Sequence, residues 1–264
     1  MWSKSKQGLT RHLAAAERSF SMEHVTYVFN VPPVTALPVY NDKSDSSSFF
    51  AVRRVYCVGR NYAFHAREMG SDPVKEPPFF FSKPTDAVVP CFPATTTRIP
   101  YPLQTQELHH EIELVIAIGK EGVQISAQEA LYHVYGHAVG IDLTRRDLQK
   151  QAKDSRRPWD SAKGFDQSAP IGPIYPVATA GHVTDANIWL DVNGEQRQTG
   201  NVNTMIWSVP EIVSALSHSF HLQPGDLIMT GTPSGVGPII AGDTITGGID
   251  RLGEIKVEIV ESSR

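Results

Sequence analysis

Glu111 and Glu113 stand two residues apart at the entrance to the apolar run Leu114–Ile118. Residues i and i+2 of a strand point to the same face, so the pair presents two carboxylates side by side. At the mouth of a strand buried on both faces, two ionised carboxylates repel each other and lose water, which is costly unless compensated. A bound cation is the simplest compensation; a solvent-exposed strand edge is the alternative. A second apolar run, Tyr135–Ile141, ends in Asp142, ahead of a polar stretch containing Arg145, Arg146 and Gln149. Asp142 is either the N-cap of the helix that follows or a third carboxylate at the open end of a buried strand, where ligand sites form. Three carboxylates with no cysteine nearby call for a hard divalent cation: Mg²⁺ first, with Mn²⁺ or Ca²⁺ as alternatives, completed by water and substrate. His109 and His110 suggest zinc, but adjacent strand residues face opposite ways, so only one of them can share the glutamates' side.

Three further segments carry reactive side chains. His65 and Glu68 stand at i and i+3 of a short helical stretch, where the carboxylate can orient the imidazole and raise its basicity, a general-base arrangement. A plain surface pair is the alternative. Lys163, in Ala162-Lys-Gly-Phe-Asp166, pairs with the third carboxylate or with a substrate carboxylate, unless it is a surface lysine. The Gly-rich stretch Thr230–Gly237 lacks the Gly-Lys-Ser/Thr ending of a phosphate-binding loop, which argues against nucleotides. Its backbone N–H groups could still cradle a carboxylate.

The elements that must position these residues are mostly strands. Short apolar runs bounded by turn signals predict strands over Val52–Val58, Glu111–Ile118, Tyr135–Ile141, Ile188–Val192, Leu227–Thr230 and Glu254–Val260. Asn193-Gly194 is a two-residue hairpin signal and Pro224-Gly225 a turn. Helices are predicted over Asn61–Met69, Thr144–Lys153 and Val209–Ser219. The last has Ser208 as N-cap, Pro210 in the first turn and Glu211 completing a capping box.

Composition bounds the function. The chain has 264 residues, enough for one large domain or one domain with an appendage. A net charge of −4 argues against a nucleic-acid partner, which needs a basic face. No apolar run approaches the ~20 residues of a spanning helix, so no membrane partner is expected. Gly and Pro together supply about 15% of the residues and imply many turns, hence a β-rich fold. Cys57 and Cys91 are too few for a secreted disulfide scaffold, and a reducing compartment is expected. The first 21 residues carry Lys4, Lys6, Arg11 and Arg18 against Glu17 alone, the charge bias of a transit peptide. The alternative is a disordered extension ahead of Met22. The cytoplasm is therefore the expected location, or the mitochondrion if the tail is a targeting segment. The Ser-rich stretch from Asn41 to Ser48 reads as a linker.

Taken together, six segments in this order resemble the fumarylacetoacetate hydrolase family: Gly59–Glu68, the Glu111-x-Glu113 strand, Gly140–Asp147, Ala162–Asp166, Met205-Ile-Trp207 and Thr230–Gly237. The resemblance runs from about Val55 to Val260. It implies a β-rich α+β fold, a mixed β-roll or sandwich with a few short helices, and a homodimer. Residues 1–22 would be a tail, 23–50 an N-terminal cover segment and linker, and 51–264 the catalytic domain. The family pattern makes Glu111, Glu113 and Asp142 the metal ligands, His65 and Glu68 the dyad that activates water, and Lys163 a further catalytic residue. Arg146 contacts substrate with it, and Gln149 and Thr232 assist in binding. The implied activity is metal-dependent hydrolysis of a carbon–carbon bond in an acylpyruvate, a 1,3-diketo acid. Tyr56–Tyr62, Arg67–Gly70 and Glu76–Pro84 point to the branch that cleaves fumarylpyruvate, in gentisate catabolism, to fumarate and pyruvate. Oxaloacetate decarboxylation and dienoate isomerisation share the metal and the enolate chemistry. A non-catalytic protein that binds metal and ligand is the alternative of another class.

Overall fold

Every residue of the strand Ile112–Ile118 is buried, as its unbroken apolar character requires. The computed structural model describes residues 27–40, 48–63 and 77–262. The N-terminal tail, most of the Ser-rich stretch, and His65 and Glu68 with most of the predicted helix Asn61–Met69 lie outside the described residues. Residues 34–264 form one compact unit and 1–33 another. In the latter, the described residues contain no helix or strand.

The Ile112–Ile118 strand lies at the centre of an eight-stranded sheet. From one edge, the order is Phe79–Lys83, Arg54–Gly59, Asp226–Met229, Ile112–Ile118, Val134–Ile141, Ala169–Ile171 and Val88–Pro90, with Tyr175–Pro176 also pairing with Val134–Ile141. A five-stranded sheet runs Glu195–Asn201, Asn187–Val192, Thr244–Ile249, Glu254–Val260 and Thr96–Pro100. A small sheet joins Thr144–Arg145, Leu108–His110 and Gly237–Ile239, and Ala36–Pro38 pairs with Phe49–Ala51. Three pairings are parallel and the rest antiparallel, so the sheets are mixed. The fold is thus β-rich with a few short helices.

Alternation along the central strand divides the core in two. Ile112, Leu114, Ile116 and Ile118 pack with Ile188, Leu190, Ile245 and Val257 of the five-stranded sheet. Val115 and Ala117 turn to the other face, where Leu37 closes over Val55, Cys57, Leu227 and Met229. Each large aliphatic side chain buried there contributes ~1.5–3 kcal/mol. The helix Val209–Ser217 buries Val209, Ile212, Val213 and Leu216, the i, i+3, i+4, i+7 stripe, and begins with the expected capping box of Ser208 and Glu211.

Predicted elements shift at their ends, and two of these shifts bear on the site. Thr144 and Arg145 are not helical; they pair with His109 and Leu108, and the helix runs over Arg146–Asp154. Glu111 lies between two strands, because Leu108–His110 belongs to the small sheet and Ile112–Ile118 to the large one. Asn193-Gly194 makes the predicted hairpin, with φ of 54° and 80° as a two-residue turn of this kind requires. Its second strand, Glu195–Asn201, gives no apolar signal: Gln198 is its single buried residue, and backbone pairing alone makes it a strand.

Candidate active site

The acidic cluster is assembled by the end of one strand pair. The Asp142 N–H donates to the Glu111 carbonyl at 2.8 Å, directly beyond the Ile112–Ile141 pair, so the register of the two central strands places these acids side by side. Glu113 points to the same side as Val115 and Ala117. One carboxylate oxygen from each of Glu111, Glu113 and Asp142 lies within 4.8 Å of the others, and all three residues are buried. Asp142 is not a helix cap: Arg145 holds that position, and Asp147 accepts hydrogen bonds from the Gln106 and Leu148 N–H groups at the start of the helix.

Three cations face the acids. Lys163 Nζ donates to Glu111 Oε2 at 3.0 Å, to Asp142 Oδ2 at 2.6 Å and to Thr144 Oγ1 at 2.6 Å. Burial alone would lower the pKa of this ammonium, but Asp142 and Glu111 outweigh it and hold the group charged, above the ordinary lysine value. The Arg146 guanidinium donates to Glu111 Oε1 and to Gln149 Oε1. Lys83 Nζ lies 2.7 Å from Asp142 Oδ1.

Glu113 is treated differently. Among the described residues it takes one hydrogen bond, from the Gly231 N–H at 2.8 Å, and pairs with no cation. Burial first, then the charges of Asp142 and Glu111, push its carboxyl well above the usual range. A buried carboxylate without a cation partner, beside two further carboxylates, fits a divalent ion held by oxygen donors. The Gly-rich loop does cradle a carboxylate, but one of the chain's own. Gly231 has φ of +94°, and a Cβ there would come within 2.7 Å of Asn61 Cβ. Gly231→Ala should destabilise the protein by ~1–2 kcal/mol from the left-handed backbone alone and weaken Mn²⁺ binding. Urea denaturation and calorimetry check both.

Glu111, Glu113, Asp142, Arg146, Gln149, Lys163 and Thr232 all line one pocket, whose other walls include Arg60, Phe81, Lys153 and Trp159. His65 and Glu68 are outside the described residues. Neither His109 nor His110 belongs to the cluster. His109 pairs with Glu107 at 3.0 Å, and His110 Nδ1 bonds to Gln198 at 2.9 Å.

Three residues to which the sequence assigned no role complete the surroundings. Lys83 closes the run Phe79-Phe-Phe-Ser-Lys, where a lysine ending an apolar strand is a detectable signal. Its ammonium also donates to the Lys163 and Leu143 carbonyls and to Ser168 Oγ. Gln198 accepts from the Ile112 N–H and donates to Thr232 Oγ1 at 2.8 Å, linking hairpin, central strand and Gly-rich loop. Asn61 donates to the Thr230 and Trp207 carbonyls and accepts from the Trp207 N–H, so it ties three of the sequence segments together. No spacing signal marks Gln198 or Asn61.

With its mixed strand-rich fold and its pocket of three carboxylates, two lysines and two arginines, the chain belongs to the fumarylacetoacetate hydrolase family. The family model described as fumarylacetoacetate (FAA) hydrolase C-terminal matches residues 54–260. A crystal structure of fumarylpyruvate hydrolase from Pseudomonas aeruginosa, in complex with Mn²⁺ and pyruvate, is 52% identical with a TM-score of 0.86, covering 90% of this chain and 100% of that one. Fumarylpyruvate hydrolase of a Ralstonia species is 42% identical over 184 residues, 70% of this chain and 93% of that relative. A mitochondrial oxaloacetate decarboxylase of Dictyostelium discoideum is 41% identical over 200 residues, 76% of this chain and 90% of that relative. Among the described residues, no helix is long and apolar enough to cross a membrane.

Proposed function

We propose that this chain hydrolyses the carbon–carbon bond of an acylpyruvate, fumarylpyruvate to fumarate and pyruvate, with a divalent metal held by Glu111, Glu113 and Asp142. The observation that carries the reading is the single pocket in which three buried carboxylates meet Lys163 and Arg146. The Pseudomonas aeruginosa structure, which holds Mn²⁺ and pyruvate, supports it. When bound, the metal supplies Lewis-acid stabilisation of negative charge developing on a substrate oxygen.

The protein's groups divide the remaining work. Lys163 and Arg146, both able only to donate, hold the keto-acid end and the oxygen that gains charge. Gln149, bonded to Arg146, and Thr232, bonded to Gln198, fix the orientation of that end. On its sequence spacing, His65 held by Glu68 takes the proton of the water that adds to the distal carbonyl. The bond between that carbon and the central CH₂ then breaks, its electron pair leaves with the pyruvate enolate, and protonation of the CH₂ carbon yields pyruvate. Mg²⁺ as the physiological ion, a homodimer and a place in gentisate catabolism belong to the same reading and rest on the family resemblance. A cytoplasmic location is part of it as well.

Oxaloacetate decarboxylation is the second reading, favoured by the Dictyostelium relative. The two separate when the protein, supplied with Mn²⁺ or Mg²⁺, is given fumarylpyruvate, acetylpyruvate and oxaloacetate in turn. Fumarate and pyruvate from fumarylpyruvate are expected; pyruvate from oxaloacetate alone would sink the hydrolase. His65→Ala should lower hydrolysis by ~10²–10⁴-fold, the range of a lost general base, with Mn²⁺ affinity unchanged by calorimetry. A binding protein without turnover would show no activity before or after the change.

A further inference from the structure

The helix Arg146–Asp154 presents a third residue to the pocket. Arg146, Gln149 and Lys153 recur at i, i+3 and i+7, share one helix face, and all line the cavity that contains the carboxylates. Arg146 and Gln149 are bonded to each other, and Arg146 also to Glu111. Lys153 is half-buried and makes no hydrogen bond or ion pair among the described residues. The acid next to it in sequence, Asp154, is paired with Lys150 at 2.8 Å. Burial, then the neighbouring charges of Arg60 and Arg146, lower the Lys153 pKa by more than Asp154 raises it, so two further cations act on it. Such a position is unfavourable for an ammonium unless an anion comes to it.

The spacing suits a particular anion. Lys153 is seven residue steps beyond Arg146 on the helix, about 10 Å along the axis at 1.5 Å per residue. The terminal carboxyl carbons of an extended seven-carbon diacid are six bonds apart, about 7 Å at the rise of an extended chain; with ~3 Å from each carboxylate to its cation the two cations stand about 13 Å apart, a span within reach of two long side chains rooted about 10 Å apart. The Phe81 and Trp159 rings, with centroids 5.8 Å apart, line the same pocket and offer flat apolar surface for the intervening carbons.

We propose that Lys153 is a specificity-determining residue whose ammonium receives the far carboxylate of a dicarboxylic keto acid, so that the pocket selects acyl chains ending in a carboxylate. This rests on the acylpyruvate reading for the end of the substrate held at Lys163 and Arg146. It gives the α-helix two functions, with Arg146 and Gln149 addressing the reacting end and Lys153 the remote one.

The test is calorimetric binding to the Mn²⁺-loaded full chain of two compounds that lack the second carbonyl and cannot be hydrolysed. One is 2-oxoheptanedioate, which has the far carboxylate; the other is 2-oxoheptanoate, which does not. The parent should bind the diacid 10–100-fold more tightly, and Lys153→Met should remove that preference while leaving affinity for the monoacid unchanged. Lys153→Arg should restore most of it, and the parent's KM for fumarylpyruvate should rise in Lys153→Met with kcat within about twofold. Equal affinity of the parent for both acids, or a Lys153→Met variant that keeps the preference, overturns the proposal. Failure of the acylpyruvate reading is recorded separately, as absence of fumarylpyruvate cleavage by the parent.

Discussion

Glu113→Gln lowers turnover by about three orders of magnitude, on the order of 4 kcal/mol of transition-state stabilisation, and leaves the metal-free protein at least as stable as the parent. Both halves follow from the same environment. Glu113 is buried, receives one N–H from Gly231 and no cation among the described residues, and its carboxyl is pushed well above the usual range by burial and by Asp142 and Glu111. A carboxyl whose pKa is raised on folding contributes stability below its unfolded value, and that contribution is lost as pH rises through the folded value. Gln imitates the protonated acid, so without metal the difference between variant and parent opens in the variant's favour as pH rises. With Mn²⁺ the order reverses, because an ion that binds only the native state raises its stability by mass action and the amide is a poorer ligand than a carboxylate. Thermal unfolding at several pH values, with a chelator and with Mn²⁺, reads both effects. A Glu113→Gln protein whose unfolding temperature still rises with Mn²⁺ as the parent's does would remove Glu113 from the ligand set.

Lys83→Met costs ~3–5 kcal/mol of folding stability, the range for removing one partner of a buried ion pair. The Lys83 side chain is fully buried 2.7 Å from Asp142 Oδ1, and its ammonium also serves the Leu143 and Lys163 carbonyls and Ser168 Oγ. Methionine keeps the volume and leaves three acceptors with one donor fewer, while Asp142 loses one of its two lysine ion-pair partners. The two carbonyls belong to residues beside the acidic cluster, so the change also loosens the placement of Asp142 and Lys163. Urea denaturation should show a lower midpoint at constant slope, and Mn²⁺ affinity should fall in parallel. A loss below about 1 kcal/mol would place the pair with weak surface ion pairs and contradict its burial.

The contrast between these two residues shows where sequence reasoning reaches. Glu113 is legible because a carboxylate at the start of an apolar strand conflicts with its surroundings, and the i, i+2 period supplies its neighbour. Lys83 ends a comparable apolar strand, yet its partners lie 59 to 85 positions further along the chain, and nothing local announces them. Gln198 is harder still, since it is buried only because a polar hairpin strand crosses the start of Ile112–Ile118. The helix boundary moved from Thr144 to Arg146 for the same reason. Thr144 and Arg145 have the local pattern to continue the helix, but pairing with Leu108 and His109 claims their backbone.

By itself, the sequence singled out Glu111, Glu113, Asp142, Arg146 and Lys163, the strand character of the elements that bear the acids, and the capping box at Ser208. These depend on periodicities of two and about four residues, which are local properties of the chain. Only the tertiary structure decided how the charges are apportioned. The register of Ile112–Ile118 against Val134–Ile141 sets Glu111 beside Asp142, the return of Phe79–Lys83 brings a second lysine to Asp142, and Glu113 is left, among the described residues, with a backbone N–H alone. Coulombic and hydrogen-bonded pairing acts over a few ångströms in space, and which groups come that close is settled by strand order and register, which no spacing along the chain records.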